Sequence, residues 1–137
     1  MSAEPASGAA RTVLIVEDDE ELRDLIGDLL EEEGYDVIPA TNGKQALDYL
    51  RSTRRLPLLI LLDLMMPLVN GWELLRTIKS DPWFSALPVV VMTAVKRDRP
   101  SGASAVLKKP FKIAELLDVV LDIVGPRGVP GAPGWCI

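Results

Sequence analysis

Short uninterrupted apolar runs alternate with stretches of helical periodicity along most of this chain. The first pair shows the pattern: Thr12 to Val16 is an apolar run, and Asp19 to Glu33 spaces its leucines helically before Gly34. Strands without polar alternation are buried on both faces, and parallel strands need crossover connections that are usually helical. The alternation therefore predicts an α/β fold whose parallel sheet is covered by helices on both faces.

The same pattern continues to Val124 and predicts four more strands and three more helices. The strands are Tyr35 to Pro39, Leu58 to Leu62, Pro88 to Met92 and Ala105 to Leu107, and the helices are Asn42 to Arg51, Trp72 to Lys79 and Ile113 to Val124. Ligands of such sheets bind beyond the carboxyl ends of the strands. We therefore look for functional residues at that edge.

The two ends of the chain differ in composition from the predicted folded unit, residues 12–124. Residues 1–11 lack the basic and apolar regions of a signal peptide, and we expect a flexible tail. Residues 125–137 carry glycine at every third position from Gly125 to Gly134, and we expect a Gly/Pro-rich extended tail. The longest apolar run, Leu56 to Leu62, is far below the ~20 residues that cross a bilayer. These features predict a single cytoplasmic domain without membrane partners.

The net charge and the residue composition limit the kinds of binding and catalysis that this chain can support. The chain has 15 basic and 20 acidic residues, a net charge of −5, so binding to the phosphate backbone of nucleic acids is disfavoured. It has no histidine and a single cysteine, Cys136, which excludes His–Cys zinc sites and Ser-His-Asp or Cys-His catalysis. Any chemistry must use carboxylates, hydroxyls and lysines.

Polar residues stand at the carboxyl ends of four predicted strands. They are Glu17, Asp18 and Asp19 after the first strand, Asp63 after the third, Thr93 after the fourth, and Lys108 and Lys109 after the fifth. Each has an ordinary alternative explanation: acidic residues stabilise a helix N-terminus by ~0.3–1 kcal/mol, threonine is a common strand residue, and lysine is a common surface charge. Their joint position at one crevice favours a ligand site.

This residue set suits magnesium-dependent phosphoryl transfer to an aspartate. Mg²⁺ prefers oxygen ligands, and clustered carboxylates without a cation raise each other's pKa. A metal ion would neutralise that repulsion and the charge on the transferred group. In this interpretation Asp63 is the nucleophile that forms an acyl phosphate, Lys109 pairs with the phosphate and Thr93 hydrogen-bonds it.

Four stretches of the sequence resemble the receiver domains of two-component response regulators. They lie in the family's order and span nearly the whole predicted unit: LIVEDDEELR at 14–23, LLDLMMPLVNGWELL at 61–75, VVVMTA at 89–94 and LKKPF at 107–111. The resemblance implies a doubly wound five-stranded sheet in the order 2-1-3-4-5 of flavodoxin-like and CheY-like folds. It also implies a stand-alone signalling domain rather than an enzyme, apart from self-catalysed phosphoryl transfer and dephosphorylation.

The resemblance assigns roles to individual residues. It makes Asp63 the phosphoacceptor, Thr93 the switch hydroxyl and Lys109 the lysine of the site, with a cis peptide between Lys109 and Pro110. It implies a histidine kinase or a histidine phosphotransfer protein as phosphate donor, and a further protein, which the sequence does not name, as the recipient of the signal.

The resemblance also implies a Mg²⁺ site. Asp18 would bind the ion directly together with Asp63, Glu17 would bind it more through water, and the backbone carbonyl of Met65 would be a further ligand. Asp19 would be a neighbour of the site and not a ligand.

Two features depart from the family pattern. Ala94 to Ser104 supplies 11 residues between the fourth and fifth strands, close to the ~10–12 residues that a whole parallel crossover needs. Pro100 and Gly102 interrupt this basic segment further, so we expect a shortened or missing fourth helix and a mobile loop. Val106 stands where receivers commonly have an aromatic residue.

Three functions remain open on the sequence. The first is a phospho-accepting receiver, and the second is a receiver-fold binding module that works without phosphorylation, which the two departures favour. The third is an aspartyl-phosphate phosphatase of the haloacid dehalogenase type. Those enzymes have a second aspartate two residues after the nucleophile, whereas Met65 follows Asp63 here, which argues against this function.

Overall fold

The computed structural model describes residues 11–66, 71–95 and 100–125, which contain five strands and four helices. No predicted element differs from the observed one by more than one residue at either end. In chain order the elements are β1 (Thr12–Val16), α1 (Glu20–Glu32), β2 (Asp36–Ala40), α2 (Gly43–Ser52), β3 (Leu59–Asp63), α3 (Gly71–Ser80), β4 (Val89–Thr93), β5 (Ala105–Lys108) and α4 (Ile113–Val124). The tails predicted at residues 1–11 and 125–137 lie outside the described part except for Arg11 and Gly125.

All five strands pair in parallel in the order β2-β1-β3-β4-β5, which confirms the doubly wound fold. Every residue of β3 and β4 is buried. Alternate residues of each strand enter two separate apolar clusters, so Leu14 and Val16 of β1 face one helical layer while Val13 and Ile15 face the other. Burial on both faces explains why β3 and β4 are apolar except at their last residues, Asp63 and Thr93.

Side-chain caps start the two helices that follow β1 and β2. The side chain of Asp19 accepts a hydrogen bond from the Leu22 N–H at 3.2 Å, and that of Asn42 accepts one from the Gln45 N–H at 2.9 Å. Each cap satisfies a helix N–H that has no partner within the helix. Asp19 therefore begins α1, which places Glu17 and Asp18 in the turn at the carboxyl end of β1.

The connection between β4 and β5 contains no helix among its described residues, 94–95 and 100–104. The predicted mobile basic loop falls largely on residues 96–99, outside the described part. Beyond them Pro100 is buried, and the Ser104 N–H donates to the Val89 carbonyl at 2.7 Å as the chain enters β5. The three preceding crossovers all contain helices, so this connection is the exception in the described fold. None of the helices in the described ranges is long and apolar enough to cross a membrane.

Gly71 lets α3 begin directly against the end of β3. Its N–H donates to the Leu64 carbonyl at 3.1 Å. A Cβ atom at position 71 would lie 2.6 Å from the Leu64 Cα and still closer to the Asp63 carbonyl oxygen. Both neighbours are backbone atoms that cannot rotate away, so a side chain here would force the backbone of α3 or β3 to shift.

We expect Gly71→Ala to destabilise the protein by about 1–3 kcal/mol, because the added methyl must push α3 away from β3. Urea unfolding would measure the change. Gly27→Ala is the matched control, since its Cβ would meet the Val37 Cγ1 at an ordinary 3.5 Å. The control should be neutral or stabilising by up to about 1 kcal/mol. Equal midpoints for Gly71→Ala and the wild type would contradict the prediction.

Candidate functional site

Adjacent strand ends bring the predicted polar residues to one edge of the sheet. Asp63 ends β3, which lies between β1, followed by Glu17, and β4, which ends in Thr93. Lys109 follows β5, and its N–H donates to the Thr93 carbonyl at 2.7 Å. Parallel pairing thus places these side chains side by side even though they come from distant parts of the sequence.

Lys109 bridges two buried carboxylates at this edge. Its Nζ lies 3.1 Å from the Glu17 Oε1 and 3.4 Å from the Asp63 Oδ2. The side chains of Glu17 and Asp63 are only 1% and 3% exposed, and that of Lys109 is 24% exposed. The ammonium group therefore reaches both carboxylates from the solvent side of the site.

Backbone N–H groups orient the remaining carboxylate oxygens. The Met65 N–H donates to the Asp63 Oδ1 at 2.9 Å, and the Asp19 N–H donates to the Glu17 Oε2 at 3.2 Å. Asp18 is exposed, but its carboxylate joins the two buried ones. One oxygen each from Glu17, Asp18 and Asp63 all lie within 4.8 Å of one another. Such a cluster of oxygen atoms has the chemistry of a site for a hard divalent cation.

Burial perturbs the ionisation of this cluster. Burial raises the pKa of Glu17 to about 7, with further increases from its hydrogen bond to Asp63 and from the charge of Asp63. The Asp19 N–H and Lys109 offset this only in part. For Lys109, burial would lower the pKa, but the hydrogen bonds and charges of Glu17 and Asp63 outweigh it and raise the pKa. A single ammonium does not balance these carboxylates, so the site favours an additional cation.

We expect Glu17 to make the metal-free protein less stable as the pH rises. Because the folded pKa of about 7 exceeds the ordinary value of 4.5, the stabilising contribution is complete below pH 4.5 and is lost as the pH passes 7. The measurement is urea unfolding in EDTA across this window for the wild type and Glu17→Gln. The free energy of unfolding of the wild type relative to the variant should fall with pH. Glu21→Gln, at an exposed position, is the control, and a pH-independent difference for Glu17→Gln would refute the prediction.

Thr93, Pro110 and Met65 border the carboxylate cluster. Thr93 is fully buried, and its Oγ1 accepts a hydrogen bond from the Val95 N–H at 3.1 Å. The peptide between Lys109 and Pro110 is cis, as the resemblance implies. Met65 contributes its N–H to Asp63, and the metal-binding role of its carbonyl stays a prediction.

Arg23 is a residue of this site that the sequence interpretation did not single out. Its Nη1 donates to the backbone carbonyl of Glu17 at 2.9 Å, so α1 holds the turn that carries Glu17 and Asp18. Arg23 lies in the first turns of α1, where a cation opposes the helix dipole. In the sequence, this unfavourable position of a cation is the feature that could have indicated a partner for Arg23 outside α1.

The fold and the site together define a class: doubly wound α/β domains with an acidic cluster and a lysine at the carboxyl edge of the sheet. The family model of the response regulator receiver domain matches residues 13–121. This chain belongs to that family. The family's function is to accept a phosphoryl group in two-component signalling, and its members are phosphoacceptor modules rather than classical enzymes.

Individual relatives agree with this assignment. The chain is 35% identical over 121 residues to the polar-differentiation response regulator DivK of Brucella anthropi, covering 84% of this chain and 97% of DivK.

Among solved structures, the receiver domain of a Pseudomonas aeruginosa sensor histidine kinase, with magnesium coordinated in its active-site cleft, is similar with a TM-score of 0.76 and 29% identity. The match covers 86% of this chain and 100% of that domain. The response regulator TrrA of Thermotoga maritima, in complex with Mg²⁺ and BeF, has a TM-score of 0.73 and 28% identity. That match covers 82% of this chain and 97% of TrrA.

Proposed function

We propose that this chain is a phospho-accepting receiver in which Asp63 takes a phosphoryl group from a histidine kinase or a histidine phosphotransfer protein. The observation that supports the proposal is the burial of the Asp63 carboxylate and the contacts of its two oxygens. It is buried at the functional edge of the sheet, with one oxygen held by the Met65 N–H and the other 3.4 Å from the Lys109 ammonium. The signal then passes to another protein through a binding surface.

The transfer needs few protein groups. An oxygen of the ionised Asp63 carboxylate attacks the phosphorus, and an acyl phosphate forms. The bond from phosphorus to the donor's histidine nitrogen breaks, and the electron pair stays with the histidine ring. Lys109 is positioned to pair with the phosphoryl oxygens, and the Thr93 hydroxyl is the hydrogen-bond donor proposed for the product. Dephosphorylation by water uses the same groups, so the domain catalyses only reactions of its own aspartate.

Glu17, Asp18 and Asp63 fit a Mg²⁺ ion and are the residues proposed to hold it, with the Met65 carbonyl as a further ligand. The fit rests on the three converging carboxylates, whose oxygen atoms are the ligands that Mg²⁺ prefers. When bound, Mg²⁺ neutralises charge on the transferred group. The similar domain from Pseudomonas aeruginosa, which coordinates magnesium in its cleft, supports this assignment.

Asp63→Asn should abolish phosphorylation while the fold persists, because the amide keeps the shape of the carboxylate but not its nucleophilic charge. The protein is incubated with acetyl phosphate and Mg²⁺, and intact mass spectrometry counts the phosphoryl groups gained. We expect one group on the wild type and none on the variant. Asp19→Asn, a change of the same chemistry at the neighbouring exposed cap, should still be phosphorylated. Uptake of a group by Asp63→Asn would refute the assignment of the phosphoacceptor.

Asp18→Ala should greatly reduce the stabilisation of the protein by Mg²⁺. A ligand that binds only the folded state raises the melting temperature by mass action, so the shift reports the affinity of the site. Because Asp18 is exposed, its loss should change the metal-free melting temperature little. Asp24→Ala removes an exposed carboxylate from α1 outside the cluster and is the control. Equal Mg²⁺ responses in the two variants would show that Asp18 acts only at the helix start.

A receiver-fold binding module without phosphorylation remains the second candidate. Two observations favour it: the described residues between β4 and β5 form no helix, and the half-buried Val106 occupies a position where an aromatic residue is common. The acetyl phosphate experiment separates the candidates, since a wild-type protein that gains no phosphoryl group would be such a module.

A further inference from the structure

A groove runs along α3 on the side of the molecule where the β4–β5 connection passes. One wall is α3, from Trp72 to Ser80, and the other is the turn at Pro100 and Ser101. The connections from β1 to β2, β2 to β3 and β3 to β4 each contain a helix, whereas the described residues of the β4–β5 connection contain none. The groove is therefore bordered by a single helix on this side of the sheet.

The groove combines apolar surface with positive charge. Leu75 and Pro100 are buried against the core, and Trp72 is 36% exposed. Two cations, Arg76 and Lys79, line the groove, and the described lining includes no carboxylate. This local charge is opposite to the net charge of −5 of the whole chain. The groove thus attracts an acidic surface, although most of this protein repels one.

The two cations have different roles. The Lys79 ammonium donates to the carbonyls of Ser85 at 3.1 Å and Leu87 at 2.6 Å, so it is held by the chain that follows α3. Arg76 is exposed, and no carboxylate of the described residues forms an ion pair with it. Arg76 therefore has a guanidinium group that can bind a carboxylate of another molecule in bidentate geometry.

The turn that forms the wall opposite α3 lies close to Lys79. Gly102 adopts a φ of +93°, and a Cβ at this position would lie 2.9 Å from the Lys79 Cγ. The turn therefore rests on the aliphatic part of Lys79.

We propose that this groove binds an acidic amphipathic helix of a partner protein. Trp72, Arg76 and Lys79 follow the i, i+4, i+7 spacing of one helix face and extend over about 10 Å, which matches two turns of a docked helix. The docked helix would place apolar residues on Trp72 and a carboxylate on Arg76, with the tryptophan as the main contributor to affinity. The proposal deepens the proposed signalling through protein binding, but it does not depend on phosphorylation of Asp63.

The test is selection of peptides by the full-length, unmodified protein. A phage-displayed library of randomised helical peptides of about 16 residues is suitable, because isolated helices below ~12–15 residues are marginal. We expect enriched sequences with apolar residues at helical spacing and with Asp or Glu beside them. A synthetic copy of the most enriched peptide should bind Trp72→Ala and Arg76→Glu at least about tenfold more weakly than the wild type.

Two variants control for general effects of surface changes. Arg51→Glu reverses an exposed charge on α2, and Ile113→Ala removes an exposed apolar side chain at the start of α4. Both should bind the peptide as the wild type does. Exchanging the peptide's acidic residues for lysine should abolish binding to the wild type and restore binding to Arg76→Glu, which a folding defect could not produce.

Several outcomes would overturn the proposal. Enrichment of basic peptides, or of none, would refute an acidic helical partner. Equal binding to the wild type, Trp72→Ala and Arg76→Glu would show that the peptide binds a different surface of the protein. A self-association in sedimentation experiments that Arg76→Glu abolishes would identify a second copy of this chain as the occupant. Because Asp63 is unmodified throughout, a failed selection leaves the acetyl phosphate result unaffected, and the two proposals are tested separately.

Discussion

Parallel pairing of five strands is the constraint on which the rest of this structure depends. It requires helical or other crossovers on both faces, which buries every residue of β3 and β4 and makes both strands apolar up to their last residues, Asp63 and Thr93. It also places all carboxyl ends at one edge, so the residues that end β3 and follow β1 and β5 meet there. The polar groups then lie at the boundary of the apolar core, where Glu17 and Asp63 are almost fully shielded from water.

Shielding gives the site its electrostatic character. The two buried carboxylates share one lysine, and the exposed carboxylate of Asp18 lies beside them. The pKa of Glu17 rises to about 7 because burial and Asp63 oppose its ionisation. This imbalance makes the edge receptive to a divalent cation and to the positive groups that stabilise a phosphoryl group. The turn that presents Glu17 and Asp18 is held from α1 by Arg23, so the helix start and the acidic cluster form one unit.

The unusual β4–β5 connection affects the surface beside α3 and leaves the carboxyl edge of the sheet unaffected. Its described residues contain a buried proline and a tight turn against Lys79 where each preceding crossover has a helix. The groove that results carries Trp72 and Arg76 next to each other. The proposed chemistry at the edge and the proposed recognition beside α3 thus use neighbouring but distinct surfaces.

The sequence by itself determined the order of the nine described elements and their bounds to within one residue, because apolar periodicity and the scarcity of residues between β4 and β5 are local properties. It also placed Glu17, Asp63, Thr93 and Lys109 at strand ends. The chemistry of these residue types indicated phosphoryl transfer to Asp63, and the family resemblance implied the same roles. Only the tertiary structure decided that Lys109 pairs with Glu17, 92 positions away, at 3.1 Å, that Arg23 holds the Glu17 carbonyl, and that Gly71 abuts β3. These contacts depend on where the strand register and helix packing place distant backbone segments, and local sequence patterns carry no measure of that distance.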